Sequence, residues 1–175
     1  MDKHFELTNK FIINAFGVKL FQIKCTRRIK YAEVGDLGGY IEKEDNLSGD
    51  AWVSGDARVY GNAQVYGNAQ VYGDARVYGN AQVYGNAQVS GNARVSGDAR
   101  VSNNNEHCGF DCFGSVNRHT HAYKTQSGKV EITCGCFRGS IEEFDRQVKK
   151  THQGNKFERQ YMAIAEVIKI KFGLK

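Results

Sequence analysis

One short segment of the chain combines an arginine with two histidines: residues 117–121 read Asn-Arg-His-Thr-His. A guanidinium binds carboxylates and phosphates, and a histidine can act as a general acid or base near neutral pH. Three interpretations stay open, namely a solvated hairpin tip, an anion-binding loop and a catalytic histidine site. Arg118, His119 and His121 are therefore candidate ligand-binding residues, and Arg138 is a fourth. No Ser–His–Asp spacing and no pair of carboxylates accompanies them, so we assign no catalytic residue.

Four of the five cysteines lie in the same part of the sequence: Cys108, Cys112, Cys134 and Cys136. Thiolates bind zinc, but a pair separated by three residues and a pair separated by one fall outside the common structural zinc spacings. Small buried thiols in strands are the simpler interpretation, so we predict no metal and no cofactor. The odd number of cysteines favours reduced thiols over a secreted disulfide framework.

A third group of candidate residues recurs at a constant interval in the middle of the chain. It comprises Arg58, Arg76 and Arg94, together with Tyr60 and Tyr78. If residues at this interval stack, the guanidiniums form a row flanked by aromatic rings, which suits an anion or a nucleotide. The alternative interpretation is a solvated charged face that nearby aspartates neutralise.

These positions belong to a six-residue repeat. From Leu47, nine complete hexads follow the pattern apolar, any, Gly, Asp or Asn, Ala, any. Because side chains alternate across a strand, the alanine and the next apolar residue share the inner face and the residue between them points outward. Glycine and the Asn or Asp tolerate the backbone angles of a corner. The repeat therefore predicts short strands joined by tight corners.

A longer period predicts the cross-section. Residues 73–89 repeat residues 55–71 without a change, an offset of three hexads. This offset predicts a parallel β-helix with three sides, in which each coil consists of three hexads, and the hexad pattern is typical of the left-handed type. The same interval predicts two further outward rows that are rich in glutamine: Gln64, Gln82 and Arg100, and Trp52, Gln70 and Gln88.

Different patterns flank the repeat, so we divide the chain into residues 1–40, 41–102 and 103–175. In the first segment, two apolar runs around a turn between Asn14 and Gly17 predict a β-hairpin. This hairpin is expected to cap one open end of the β-helix, whose exposed edge would otherwise invite association.

The last segment is predicted to contain a second β-hairpin and two α-helices. Residues 115–123 are expected to pair with residues 129–136. A capping box at Ser140 and Glu143 begins the first helix, and an apolar stripe predicts a second helix over residues 155–171. The predicted fold class is thus mainly β, with an oligomerisation or ligand-binding domain at the C-terminal end.

Charge and hydropathy narrow the classes of partner. The net charge of +5 is well short of a polycation, and we expect no duplex DNA partner. No apolar run is long enough to cross a bilayer, so we expect no membrane partner. The first residues lack the apolar core of a signal peptide, which predicts a cytoplasmic protein.

Several stretches together resemble a known family: Gly-Asp-Leu-Gly-Gly-Tyr-Ile-Glu at residues 35–42, the hexads, Cys-Gly-Cys-Phe-Arg-Gly at residues 134–139, and the helix pair ending in Lys175. Over nearly its whole length the chain resembles uncharacterised hexapeptide-repeat proteins of bacteriophages and prophages, sometimes labelled polymer-forming or transferase-like. The resemblance implies a β-helix between two caps and a viral or prophage origin, with the host cytoplasm as the location. It supplies no catalytic residue.

Three functions follow as expectations. The first is a non-enzymatic binding protein, a sponge that sequesters an anionic nucleotide-type signal of host immunity. The second is an acyltransferase that uses acetyl-CoA, although the coils contain no histidine to act as its base. The third is a structural or host-protein-binding scaffold. We also expect a homo-oligomer, with a trimer favoured, in which a flat side rich in Gln and Tyr forms the contact.

Overall fold

The structure is a computed structural model that describes residues 3–174. Met1, Asp2 and Lys175, which belong to the predicted end segments, lie outside the described residues. The chain divides into two compact units, one ending at Asn104 and the other beginning at Asn105. Within the described residues, no helix is both long enough and apolar enough to pass through a membrane.

The first unit begins with three longer strands and continues as a series of two-residue strands. The longer strands are β1 (Phe5–Ile13), β2 (Lys19–Cys25) and β3 (Leu37–Ile41), and a short 3-10 helix follows at Glu44–Asn46. The two-residue strands are β4 (Trp52–Val53), β5 (Arg58–Val59), β6 (Gln64–Val65), β7 (Gln70–Val71), β8 (Arg76–Val77), β9 (Gln82–Val83), β10 (Gln88–Val89), β11 (Arg94–Val95) and β12 (Arg100–Val101).

The short strands form the three sides of a parallel β-solenoid. One side is β4-β7-β10, the second contains β5-β8-β11, and the third is β6-β9-β12. Each strand pairs in parallel with the strand three hexads later, so that Val59 lies beside Val77 and Val77 beside Val95. The predicted three-sided repeat fold with three hexads per coil is therefore confirmed.

The interior explains the alternation of alanine and valine. The inward valines from Val53 to Val101 are fully buried, as are most of the inward alanines. Burying one valine contributes on the order of 1.5–3 kcal/mol relative to leaving it exposed. The small alanine beside each valine allows three sides to meet around a narrow core.

The corners depend on glycine for two reasons that Gly73 illustrates. Its φ is +71°, in the left-handed region that residues with a Cβ adopt at a cost. A Cβ at this position would also lie 3.1 Å from the backbone nitrogen of Gly91 in the next coil. The corners of successive coils therefore stack so closely that an added Cβ would press against the backbone of the next coil.

The N-terminal hairpin continues one side of the solenoid. β1 and β2 pair antiparallel, β2 pairs antiparallel with β3, and β3 pairs in parallel with β5. The six-stranded sheet therefore has the order β1-β2-β3-β5-β8-β11. The predicted hairpin is confirmed, but β1 begins at Phe5, six residues before the apolar run Phe-Ile-Ile at residues 11–13 that precedes the turn.

Polar side chains satisfy the backbone at the first coil, where no further coil provides partners. The buried Asn46 donates from Nδ2 to the carbonyls of Gly61 and Ala63, at 3.2 Å and 2.8 Å. The amide of Gly61 donates to the Glu42 carboxylate at 2.6 Å. His4 Nε2 lies 2.8 Å from the carbonyl oxygen of Ala51.

The second unit consists of a four-stranded antiparallel sheet and two helices. Its elements are β13 (His107–Phe113), β14 (Arg118–Lys124), β15 (Val130–Cys134), β16 (Phe137–Gly139), α1 (Ile141–His152) and α2 (Lys156–Phe172). The strands follow one another in sequence order. β14 and β15 form the predicted hairpin, with Thr120 opposite Cys134, whereas β13 and β16 were not predicted as its neighbours.

Both helices begin where the sequence indicated. The Ser140 side chain accepts from the amide of Glu143, and the Glu143 carboxylate accepts from the amide of Ser140. Asn155 caps α2 by accepting from two amides of its first turn. The apolar faces of both helices pack with one face of the sheet in a shared core: Ala122, Val130, Ile132, Cys134, Ile141, Phe144, Val148, Tyr161, Ile164, Ala165 and Ile168.

Candidate functional site

The candidate ligand-binding residues of the solenoid lie together on one side, which we call the arginine face (Arg58, Arg76, Arg94, Tyr60 and Tyr78). The three arginines occupy equivalent positions on β5, β8 and β11, where Arg58 pairs with Arg76 and Arg76 with Arg94. Parallel strands are about 4.8 Å apart. The solenoid thus presents three half-buried guanidinium side chains at one strand spacing from each other.

Two tyrosines stack beside this row. The rings of Tyr60 and Tyr78 are separated by 5.1 Å between centroids and are almost parallel, at 4°. Burial raises the pKa of the Tyr60 phenol, as does the neighbouring Tyr78, while the three arginines of the face oppose the shift. The phenol therefore remains protonated at neutral pH and can donate a hydrogen bond next to the guanidiniums.

Two arginines of the face, Arg58 and Arg76, are not paired with the aspartates that precede them in the hexads. Among the ion pairs of residues 3–174, none joins Arg58 or Arg76 to a carboxylate, although Asp56 and Asp74 lie two positions before them. Like charges directly opposite each other on neighbouring strands are destabilising. An anion between the guanidiniums would remove this repulsion.

The other two sides carry the predicted glutamine rows. Gln64 pairs with Gln82 and Gln82 with Arg100, and Tyr66 stacks on Tyr84 with ring centroids 5.0 Å apart. The third row departs from the prediction at its first member. Trp52 is buried at 5 % exposure, and its ring lies 6.0 Å from that of His4. The N-terminal segment therefore covers Trp52, which does not take part in an outer surface.

In the C-terminal unit, strand alternation separates the candidates at residues 117–121. The turn ends at Asn117, whose φ is +50°, and β14 begins at Arg118. The interpretation of the cluster as a hairpin tip or loop is therefore wrong from Arg118 onward. Because neighbouring residues of a strand point to opposite faces, Arg118 lies on one face and His119 and His121 on the other.

The two histidines have different surroundings. His121 is 1 % exposed, and its Nε2 lies 3.1 Å from Nδ1 of His107. His119 is mostly buried, and its Nδ1 lies 2.6 Å from the Asp111 carboxylate. Nε2 of His119 is buried and makes no hydrogen bond within the described residues. Asp111 thus orients His119 as a carboxylate orients a catalytic histidine, but the nitrogen that would face a substrate is covered.

Arg138 is already engaged by a carboxylate. Its Nε and a terminal nitrogen donate to the two oxygens of Glu131, at 2.5 Å and 3.2 Å. The hydroxyl of Tyr123 donates to the same carboxylate at 2.6 Å. This pairing neutralises the charge of Arg138 without an external anion.

The four candidate cysteines are spread over the sheet. Cys108 is half-buried, and burial raises the pKa of its thiol to about 11. Cys134 is buried, whereas Cys112 and Cys136 are exposed. Across residues 3–174, no group of three or more His, Cys, Asp or Glu side chains is placed to hold a metal ion.

Arg118 lines a cavity of about 450 Å³ that lies wholly within this unit and that we call the C-terminal pocket. Ten residues from the sheet, α1 and α2 form its lining: Arg118, Cys134, Cys136, Phe137, Phe144, Gln147, Val148, Thr151, His152 and Tyr161. Its volume falls within the range of small-molecule sites. The sequence indicated Arg118 as a candidate but not the rings around it, although Tyr161 lies in the apolar stripe that predicts α2.

A larger cavity of about 870 Å³ lies beside the first coil, and its lining contains two cations, Lys3 and Arg27, and three carboxylates, Glu44, Asp45 and Asp50. Lys3 contacts Glu44, and Arg27 donates to Asp50 at 2.9 Å. Both cations are thus paired and Asp45 adds a further negative charge, so the cavity is a poorer site for an anion than the arginine face.

Comparison with known proteins supports the repeat and nothing beyond it. A family model described as the YdcK beta solenoid repeat matches residues 51–67, 69–85 and 87–103. A search of curated proteins finds no match to this chain. Each matched segment begins at an inward alanine and covers all but one residue of a coil of the solenoid, and the segments leave both end regions unmatched. The three matched segments and the three stacked coils together show a β-solenoid repeat protein whose coils are similar to the YdcK beta solenoid repeat.

Proposed function

We propose that the protein is a non-enzymatic binding protein that holds a small anionic, nucleotide-type ligand on the arginine face. The observation that carries this proposal is the row of three arginines in register, in which Arg58 and Arg76 make no ion pair with a carboxylate among the described residues. A phosphate accepts charge-assisted hydrogen bonds from two guanidiniums at once. Ligand binding would thereby offset the repulsion within the row.

The tyrosines account for the nucleotide part of the proposal. Tyr60 and Tyr78 provide two parallel rings beside the guanidiniums, and every nucleobase has a flat face that stacks on such rings. The protonated phenol of Tyr60 adds a hydrogen-bond donor for a phosphate or a sugar hydroxyl. A nucleotide therefore satisfies both the charged and the aromatic part of the face.

The biological role that we propose is sequestration. The resemblance to hexapeptide-repeat proteins of phages and prophages supports a viral origin, and the host cytoplasm would then be the compartment in which the ligand is met. A protein that binds a nucleotide signal without converting it lowers the free concentration of that signal. We further propose a homotrimer that packs through the side of Gln70 and Gln88, which leaves the arginine face open and Arg100 outside the contact.

An acyltransferase that uses acetyl-CoA is the second candidate, and the contact between His119 and Asp111 favours it. Nε2 of His119 is buried, so a structural change would be needed before this nitrogen could take a proton from an acceptor amine. Turnover of acetyl-CoA with small amines, abolished in His119→Gln, would support the enzyme. No turnover with wild-type protein would remove this candidate.

A host-protein-binding scaffold is the third candidate, and the same purified protein tests it. Capture of one host protein at a fixed stoichiometry, unchanged by substitutions on the arginine face, would favour the scaffold over a small-ligand sponge.

Calorimetric titration with cyclic and linear nucleotides tests the principal proposal. Arg76→Gln removes the central charge of the row, and we expect it to weaken binding at least about tenfold, because a charge-assisted hydrogen bond is worth about 1.5–3 kcal/mol. Arg100→Gln is the matched control, since it removes the same charge from another side of the solenoid. Equal loss in both variants, or no binding of any nucleotide to wild-type protein, would contradict the proposal.

A further inference from the structure

We propose that the C-terminal pocket is a second ligand site, which binds a small aromatic carboxylate. The pocket is an open cleft formed by α1, α2 and the sheet, and its lining contains one permanent charge, Arg118. No aspartate or glutamate is among its lining residues. An anion entering the pocket therefore meets a cation and no carboxylate that would repel it.

Arg118 is held in place but is not neutralised. A Cβ at Gly135 would lie 2.5 Å from a terminal nitrogen of Arg118 and 2.9 Å from its Cζ, so the guanidinium packs directly over this backbone. Among the described residues, Arg118 forms no ion pair. Arg138 on the same sheet differs from Arg118, because it forms an ion pair with Glu131. A guanidinium that is positioned and not paired with a carboxylate is suited to bidentate binding of one.

The aromatic residues that line the pocket indicate the non-polar part of the ligand. Four rings contact one another in series: Phe137 with Phe144 at 5.5 Å, Phe144 with Tyr161 at 5.9 Å, and Tyr161 with His152 at 5.4 Å between centroids. Such a wall favours a flat aromatic group over an aliphatic chain. Burial and the adjacent Cys134 raise the pKa of Tyr161 to about 12, so its phenol stays neutral and does not repel an anion.

The ligand proposed for the pocket carries one negative charge, whereas the nucleotide proposed for the arginine face carries more. A phosphomonoester carries close to two negative charges at neutral pH, whereas the pocket offers a single permanent cation, which matches a carboxylate. The pocket and the arginine face belong to different units of the chain, and separate substitutions distinguish them.

The exposed Cys136 in the lining provides a direct test. In a Cys112→Ser background, which removes the other exposed thiol, the rate at which a disulfide reagent labels Cys136 is measured with and without 2-naphthoate. We expect 2-naphthoate to slow labelling in a saturable manner, while the neutral 2-naphthamide needs at least about tenfold more compound for the same protection. Arg118→Gln should reduce protection by 2-naphthoate to the level of the amide.

Arg146→Gln is the matched control, because it removes an exposed arginine of α1 that does not line the pocket. It should leave protection unchanged, as should Arg76→Gln on the arginine face. Equal protection of Cys136 by 2-naphthoate and 2-naphthamide would overturn the proposal. So would equal protection by 2-naphthoate in Arg118→Gln and Arg146→Gln, provided that the two variants have matching thermal midpoints. Protection by phenyl phosphate but by none of benzoate, 2-naphthoate and indole-3-acetate would show that the ligand is not a carboxylate. If none of these compounds protects Cys136 at millimolar concentration, the pocket is not a ligand site.

Discussion

The solenoid and the C-terminal unit both place arginine beside aromatic rings, but they do so by different means. In the solenoid, a period of three hexads repeats Arg58 as Arg76 and Tyr60 as Tyr78, and strand pairing sets them side by side. In the C-terminal unit, Arg118 occurs once, and its position depends on close packing against Gly135. Repetition produces a flat row of equivalent groups, whereas the non-repeating unit produces a cleft with a single guanidinium beside a group of rings.

The difference bears on what each region can recognise. A row of like charges binds by electrostatics along its length, so it suits an anion with several charged oxygens and is sensitive to salt. A pocket with one charge and a wall of rings binds by shape and by a single ion pair. This difference is the reason why we propose the more highly charged ligand for the solenoid and the singly charged aromatic ligand for the pocket.

The largest effect that we predict comes from breaking the stacking of the coils. Gly73→Ala introduces a Cβ at positive φ and close to Gly91, and it should lower the free energy of unfolding by about 3 kcal/mol. Gly17→Ala is the control, because its φ of +78° is similar but no atom lies within 4 Å of the added Cβ. It should cost about 1 kcal/mol. Equal losses in urea denaturation would show that close stacking contributes nothing.

A smaller loss is expected at the first coil. Asn46→Ala removes two hydrogen bonds to the carbonyls of Gly61 and Ala63 at a fully buried position, and it should cost about 2 kcal/mol. Asn62→Ala is the matched change on the exposed side of a corner, where its Nδ2 donates to Asn80 at 3.3 Å, and it should change stability by less than about 0.5 kcal/mol. If the two variants unfold at the same urea concentration, the side-chain cap of the first coil is not a stabilising feature.

The sequence predicted the solenoid far better than its ends or the C-terminal unit. A fixed period alone determines that Arg76 neighbours Arg58 and that Tyr78 stacks on Tyr60, so no long-range information is needed. His4 and Ala51 are 47 residues apart in the sequence, and no local pattern indicates their contact. The pocket around Arg118 likewise joins the sheet and both helices, which strand and helix periodicity predict separately but cannot place together.

The smallest effect that we predict is a dependence of solenoid stability on pH through His4. Burial lowers the pKa of this histidine in the folded protein, so its stabilising contribution is complete above the unfolded pKa of about 6.5. That contribution is lost as the pH falls from about 6.5 towards the folded pKa, because the unfolded chain then binds the extra proton.

His4→Gln, which retains a donor for Ala51, isolates this contribution. Between pH 7.5 and pH 5.5, wild-type protein should lose more stability than the variant, with a difference in slope of at most about 1.4 kcal/mol per pH unit for one proton. Identical pH profiles in chemical denaturation would contradict this role of His4.

The most direct test of the account compares one nucleotide on three proteins by calorimetry at low salt: wild type, the double variant Arg58→Gln/Arg76→Gln, and Arg118→Gln. The nucleotide is the one that binds wild-type protein most tightly in the titration panel. We predict that the double variant loses at least about a hundredfold in affinity, since two charge-assisted contacts are removed, and that Arg118→Gln binds as wild type does. Unchanged affinity in the double variant would contradict the assignment of the nucleotide to the arginine face.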